Sequence, residues 1–108
     1  MERDKEYLDQ ARIIAKEATH GAVKVDNKGR SVAYSNKNDT YAYIKALEEE
    51  WASNDGSTMY LTHGVNSRNA MKLVGAGIKR VVYSQEFGIG VGTELLRSQG
   101  IEVVKLML

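Results

Sequence analysis

Apolar residues near the start of the chain recur at helical spacing. Ala11, Ile14 and Ala18 fall on one side of this repeat, and charged residues such as Asp9 and Lys16 fall on the other. The pattern predicts an amphipathic helix over residues 3–19.

A hairpin pattern follows this first helix. Residues 21–25 and 30–35 are rich in β-branched and small apolar side chains, and Asp26-Asn27-Lys28-Gly29 separates them. A turn sequence of this kind between two β-prone segments predicts two antiparallel strands.

Helical and strand-like patterns then alternate to the end of the chain. We predict helices over residues 40–53, 67–76 and 92–98, with Trp51 in the buried stripe of the first of them. Short apolar segments at residues 58–62, 80–83 and 101–106 predict strands. Because strands joined through helices pair in parallel with right-handed crossovers, the pattern indicates one α/β domain over residues 1–108.

Composition and charge exclude several classes of function. The chain has 15 basic and 14 acidic residues, so its net charge of +1 gives no overall field to attract nucleic acid or an anionic membrane. It has no cysteine, which excludes a disulfide and a thiolate-bound metal. The charged N-terminus is unlike a signal peptide, and no apolar segment is long enough to span a bilayer. We therefore expect a cytoplasmic protein without nucleic-acid or membrane partners.

Several segments resemble deoxycytidylate deaminases. They are residues 77–83, 94–97 and 100–103 in the last third, the hairpin start Gly21-Ala22-Val23, and the tripeptides Tyr34-Ser35-Asn36 and Tyr60-Leu61-Thr62. The resemblance implies the three-layer α/β/α cytidine deaminase-like fold, with a mixed five-stranded sheet and an N-terminal hairpin.

The two zinc motifs of that family are replaced in this chain. His-Ala-Glu aligns with Tyr41-Ala42-Tyr43, so phenols stand where the resemblance implies the metal histidine and the acid–base glutamate. Pro-Cys-x-x-Cys aligns so that Asn66 and Asn69 replace the thiolates. Neutral amide oxygens and a phenol are poor zinc ligands. We therefore expect a degenerate pseudo-deaminase with no metal or other cofactor, and we predict that the chain is not an enzyme.

The altered motifs suggest a binding site. The resemblance places them in a cleft at the N-terminal ends of two helices, where free backbone N–H groups favour anions. Asn36 aligns with an asparagine that contacts the substrate sugar in the family, and Arg68 stands where it reaches a phosphate. The predicted ligand-binding residues are Asn36, Tyr41, Tyr43, Asn66, Ser67, Arg68 and Asn69.

Structural roles are the alternative for the same residues. Tyr41 and Tyr43 would then plug an obsolete cavity, Asn66 and Ser67 would cap a helix, and Arg68 would lie in solvent.

Other features carry less specific predictions. His20 and His63, the two histidines, are interpreted as surface or turn residues rather than metal ligands. The glycine-rich residues 86–92 form either a phosphate-binding loop or a flexible loop at the site or at a subunit interface.

Three functions compete. The first is sequestration of a nucleotide or nucleotide-derived signal, as by a viral protein acting against a nucleotide-signalling immune system. Because the deaminases that the chain resembles oligomerise through their helices, we also expect a homo-oligomer. The second is a structural or regulatory oligomeric subunit without a small ligand, using Phe87, Ile89 and Met107–Leu108 at its interface. The third is an enzyme with different chemistry, such as transfer or hydrolysis of a glycosidic bond, with Asp39 and Glu86 as its carboxylates.

Overall fold

A computed structural model describes residues 3–15, 20–36 and 41–107. The predictions for residues 16–19 and for Asp39, Thr40 and Leu108 lie outside this range. The helices and strands are α1 (Asp4–Ala15), β1 (Gly21–Val25), β2 (Ser31–Ser35), α2 (Ala42–Glu48), β3 (Thr58–His63), α3 (Ser67–Ala76), β4 (Arg80–Gln85), α4 (Val91–Ser98) and β5 (Glu102–Lys105).

The strands form one mixed sheet in the order β2-β1-β3-β4-β5. β1 pairs antiparallel with β2 and with β3, whereas β3–β4 and β4–β5 are parallel. The predicted hairpin, the parallel pairing after it and the α/β fold class are therefore confirmed. No helix of the described segments has both the length and the hydrophobicity needed to cross a membrane.

Helices cover both faces of the sheet, as the three-layer prediction requires. On one face, Leu8 and Ala11 of α1 pack against Val23 and Val82. On the other face, residues of α2, α3 and α4 pack against alternate positions of the same strands. The alternation follows from the two-residue side-chain period of a strand. Those alternate positions include Ala22, Met59, Leu61, Val81 and Tyr83.

The second helix is shorter than predicted. It ends at Glu48 instead of Ser53, because the Asn54 side chain donates to the carbonyl oxygen of Leu47 (2.9 Å) and caps the last turn. Trp51 lies beyond this end and is 57% exposed, so its assignment to the buried stripe was wrong. Its ring instead faces the guanidinium of Arg30, 5.7 Å from the ring centroid.

A buried lysine secures the chain after α2. Lys24 points from β1 toward this segment, and its Nζ donates to the carbonyl oxygen of Glu49 (2.9 Å) and to Oδ1 of Asn54 (2.8 Å). Lys24 is fully buried, and the loss of hydration lowers its pKa.

An ion pair secures α1 on the opposite face. Arg80 donates to both carboxylate oxygens of Asp4, at 2.8 and 2.6 Å, and also to Glu102 at 2.9 Å. The Tyr60 hydroxyl donates to Asp4 as well, at 2.7 Å. These hydrogen bonds, chiefly the one from Arg80, lower the pKa of Asp4 although burial opposes the shift.

β3 and β4 extend further toward their carboxyl ends than predicted. His63 pairs with Gln85 in the parallel ladder, and the Gly64 N–H donates to the Gln85 carbonyl oxygen (2.8 Å). The extension carries both strands to the edge of the sheet where α2 and α3 begin.

Candidate ligand-binding site

A cavity of about 520 Å³ lies where α2 and α3 begin. The structure brings five of the seven predicted binding residues to its wall, together with two that were not predicted, Ile44 and Lys72. That these residues bind a ligand stays a prediction. The lining residues are Tyr41, Ile44, Asn66, Ser67, Arg68, Asn69 and Lys72.

Asn66 is the N-cap of α3. Its side-chain oxygen accepts a hydrogen bond from the backbone N–H of Asn69 (2.8 Å), and its carbonyl oxygen accepts from Ala70 (2.9 Å). The capping interpretation of Asn66 therefore describes its local role, because this bond satisfies one of the free donors at the start of the helix.

Tyr43 lies beneath the cavity rather than on its wall. It is 2% exposed, and its hydroxyl oxygen accepts a hydrogen bond from Nδ2 of Asn69 (2.9 Å). Burial raises the pKa of Tyr43 to about 12, so the phenol stays protonated at neutral pH. The partly exposed ring of Tyr41 stacks on the buried ring of Tyr43, with 5.3 Å between the ring centroids and 9° between the ring planes.

Asn36 also lies outside the cavity wall. Its Oδ1 accepts from the backbone N–H of Ala42 (2.9 Å), and its Nδ2 lies 3.1 Å from Nδ1 of His20. The side-chain amide of Asn36 is therefore engaged at both ends and connects the start of α2 to the residue before β1.

His20 is a neighbour of the site that sequence reasoning missed. It is only 7% exposed, so its interpretation as a surface or turn residue was wrong. Its ring packs near three other rings, with centroid separations of 4.7 Å to His63, 5.1 Å to Tyr41 (edge-on) and 6.2 Å to Phe87. Burial, and then the nearby His63, lower the pKa of His20 to about 4. The sequence signal nearest to it was that His20 directly precedes the mainly apolar strand segment at residues 21–25.

The glycine-rich segment contributes an aromatic side chain to this cluster. Gly88 and Gly90 have φ values of 59° and 83°, which glycine adopts without strain, and Gly90 is the N-cap of α4. These turns place the ring centroid of Phe87 6.3 Å from that of Tyr41. The Ile89 side chain, by contrast, is 93% exposed. A phosphate-binding role and an interface role for this segment stay predictions.

Glu86 belongs to a local network in the same loop. It accepts hydrogen bonds from the hydroxyls of Tyr83 and Thr93, and Lys105 lies 3.6 Å away. The bond from Tyr83 chiefly lowers the pKa of Glu86. Since Asp39 lies outside the described residues, the structure does not test the proposed carboxylate pair.

Two cations give the cavity a positive wall. Arg68 and Lys72 lie one turn apart on α3, and both are exposed. Neither forms an ion pair with any residue of segments 3–15, 20–36 or 41–107. With the N-terminal end of α3 beside them, they make the cavity favourable for an anion.

The donor set does not fit the zinc ion that the fold family implies. The amide oxygen of Asn66 caps α3, the amide of Asn69 binds Tyr43, and a phenol such as that of Tyr41 is a poor zinc ligand. Within the described segments, no three His, Asp or Glu side chains are grouped so that they could hold a metal ion.

Comparison with known proteins gives structural matches only. No protein-family model matches the chain, and no curated protein is significantly similar to it in sequence. It is similar to the dCMP deaminase of the cyanophage S-TIM5 in complex with dCMP and dUMP, with a TM-score of 0.81 and 22% identity over 97% of each chain. RibD of Acinetobacter baumannii matches with a TM-score of 0.79 and 24% identity, over 95% of this chain and 35% of RibD. A tRNA:A34 deaminase matches with a TM-score of 0.73 and 22% identity, over 94% of this chain and 91% of the deaminase.

These matches correct the prediction that the chain is not an enzyme. Structures that share its fold over 94–97% of its length are named as deaminases, so the residues at the altered motifs are not sufficient grounds for excluding activity. At 22–24% identity the similarity establishes the architecture and not the substrate. The chain therefore has the cytidine deaminase-like fold along nearly its entire length.

Proposed function

We propose that this protein binds a nucleotide, or a signalling molecule derived from one, in the cavity between α2 and α3. The observation that carries the proposal is the positive wall, where Arg68 and Lys72 have no acidic partner among the described residues. Two adjacent cations without a counter-charge favour a ligand with a phosphate group.

The start of α3 supplies further phosphate donors. The first backbone N–H groups of a helix have no acceptor within the helix, and Asn66 satisfies only that of Asn69. The hydroxyl of Ser67 lines the same wall. A phosphate at this end would receive hydrogen bonds from backbone and side chains together with the charge of Arg68.

Tyr41 supplies a surface for the base. Its ring lines the cavity and is already held parallel to the buried Tyr43 ring. An aromatic ring at the cavity wall can stack on a nucleobase. Base and phosphate would then occupy opposite ends of the cavity.

The structural neighbours agree with this class of ligand. The cyanophage dCMP deaminase structure contains dCMP and dUMP. The proposal concerns binding and does not depend on whether the bound molecule is converted.

Titration calorimetry with mononucleotides, cyclic nucleotides and ADP-ribose-type molecules tests the proposal. A charge-assisted hydrogen bond contributes about 1.5–3 kcal/mol, so Arg68→Ala and Lys72→Ala should each weaken binding by about 10-fold or more. Lys5→Ala, which removes an exposed cation from α1 on the other face of the sheet, should leave affinity unchanged. The proposal would be contradicted if no compound of the panel bound, or if the Arg68→Ala and Lys72→Ala variants bound with the affinity of the wild type.

The same samples distinguish sequestration from catalysis and from a purely structural role. Recovery of unchanged nucleotide would support sequestration, and a new product would show catalysis. The structural-subunit alternative, with Phe87 and Ile89 at its interface, predicts a defined oligomer in light scattering and no bound nucleotide. The homo-oligomeric state and the antiviral-defence context stay predictions.

A further inference from the structure

We infer that His20 determines base specificity at the proposed site by donating a hydrogen bond from Nε2 to a carbonyl oxygen of the ligand's base. The inference rests on the proposed function, since it requires a nucleotide in the cavity. It adds a residue that neither the motif comparison nor the lining of the cavity indicates.

The hydrogen bonds of Asn36 fix the tautomer of His20. Oδ1 of Asn36 accepts from the backbone N–H of Ala42, so the other amide atom facing His20 is the NH2 group. That group donates to Nδ1 of His20, which is therefore the acceptor nitrogen of the neutral ring. The single ring proton is consequently on Nε2.

The Nε2–H group has no hydrogen-bond acceptor among the described residues. It is the one buried side-chain nitrogen or oxygen without a partner in those segments. Leaving a buried donor unpaired costs about 1–3 kcal/mol, and such groups are rare outside functional sites. A ligand acceptor at this position would remove the penalty.

Tyr41 connects the cavity to His20. Its ring forms part of the cavity wall on one side and contacts the ring of His20 on the other. Its hydroxyl makes no hydrogen bond with a described residue, so only ring contacts hold the side chain. Since Nε2 is buried in the present arrangement, a base reaches it only if neighbouring side chains shift, and Tyr41 is the described ring neighbour of His20 that also lines the cavity.

The chemistry of Nε2–H selects one class of base. The paired bases differ at C4 of the pyrimidines and at C6 of the purines, and the inference places this position at Nε2–H. There a ring N–H donates to the carbonyl oxygen of uracil, hypoxanthine or guanine, but it meets another donor at the amino group of cytosine or adenine. Among residues 3–15, 20–36 and 41–107, the other side chains that contact the His20 ring are Asn36, His63 and Phe87, and none of these three carries a carboxylate that would reverse this preference. We therefore expect oxo-base nucleotides to bind more tightly than their amino counterparts.

Two substitutions of similar size separate the roles of the two ring nitrogens. His20→Asn keeps an acceptor for Asn36 near Nδ1 but removes the distal donor, whereas His20→Gln keeps an N–H near the Nε2 position. Affinities are measured by calorimetry with the pairs dUMP and dCMP, and IMP and AMP. The wild type should favour the oxo member by about 10-fold or more, because mismatched donors leave polar groups unpaired.

His20→Asn should lose this preference and His20→Gln should keep most of it. If His20→Asn kept the affinity and the base preference of the wild type, the inference would be overturned. In that case, weaker nucleotide binding by Arg68→Ala would still support the proposed function. Absence of binding to the wild type would overturn both.

An NMR measurement covers the case in which a variant fails to fold. In ¹⁵N-labelled wild-type protein, the Nε2 and Nε2–H signals of His20 should shift downfield when dUMP is added, as a hydrogen bond forms. No shift at saturating dUMP would overturn the inference without any substitution.

Discussion

At the scale of single residues, Asn36 and His20 form one unit in spite of their separation in sequence. The Asn36 amide holds the start of α2 through Ala42 and orients the His20 ring through Nδ1. A change at Asn36 would therefore disturb the tautomer of His20 and the position of Tyr41 together. We expect Asn36 to act on a ligand through these residues and not by direct contact.

Burial of neutral His20 makes stability depend on pH. The folded pKa is about 4 and lies below the usual 6.5, so the unfolded chain binds more protons between these values. Stability should therefore fall as pH is lowered from 7 to 4, with His20 contributing on the order of 2 kcal/mol. Urea unfolding of the wild type and of His20→Gln at several pH values measures this contribution.

Carboxylates with lowered pKa, such as Asp26 and Glu49, make stability fall in the same direction. The difference between wild type and His20→Gln isolates the histidine, since the variant keeps these groups. Parallel pH profiles for the two proteins would contradict the assignment to His20.

At the scale of elements, one ion pair holds α1 against the sheet. Asp4→Asn would leave Arg80 buried with one acidic partner fewer, and we expect a loss of about 3 kcal/mol in the free energy of unfolding. Asp9→Asn is the matched control on the same helix, because its pair with Arg12 is exposed and contributes about 0–1 kcal/mol. Equal effects of the two substitutions on urea unfolding would contradict a dominant role for Asp4.

Close approach of α1 to β1 requires a glycine. A Cβ at Gly21 would lie 2.0 Å from the carbonyl oxygen of Ala11, so Gly21→Ala should force the helix away and strongly lower the melting temperature. Gly75 lies within α3, and a Cβ there meets nothing within 4 Å. Gly75→Ala should therefore stabilise the protein by about 0.5–1 kcal/mol, and calorimetric melting of both variants distinguishes the two environments.

Local signals were sufficient to predict some elements and not others. α3 was predicted with its observed bounds, because Asn66 and the left-handed Gly77 are end signals within the sequence itself. The end of α2 was missed because the Asn54 side chain reaches back to Leu47 and Lys24 of the distant strand β1 binds Glu49, and periodicity encodes neither contact. Because the prediction relied on periodicity alone, it extended the helix past Glu48 and placed Trp51, which is exposed, in the buried stripe.

The site was predictable to a similar extent. Motif alignment led to Arg68, and helical spacing from it would have led to Lys72 one turn later. The location of His20 depended on rings and an amide from distant segments, which no local pattern encodes. The roles of Asn36 and Tyr43 as supports beneath the wall likewise follow from burial and hydrogen bonding in the folded chain.

At the scale of the whole molecule, charge is balanced but unevenly placed. The net charge is +1, yet the wall formed by Arg68 and Lys72 is locally positive. Attraction of a phosphate should thus be short-ranged, and added salt should weaken binding mainly through these two residues. Cytoplasmic location and the lack of a nucleic-acid partner stay predictions from composition.

The buried amine of Lys24 can report local opening of the fold through its rate of chemical modification. Its amine is enclosed between β1 and the segment after α2, whereas Lys5 and Lys28 are exposed. An acylating reagent should reach the surface amines at once and the enclosed amine only when helix and sheet separate. Mass spectrometry of that single acylation would time the separation in the native protein, without denaturant or an introduced label.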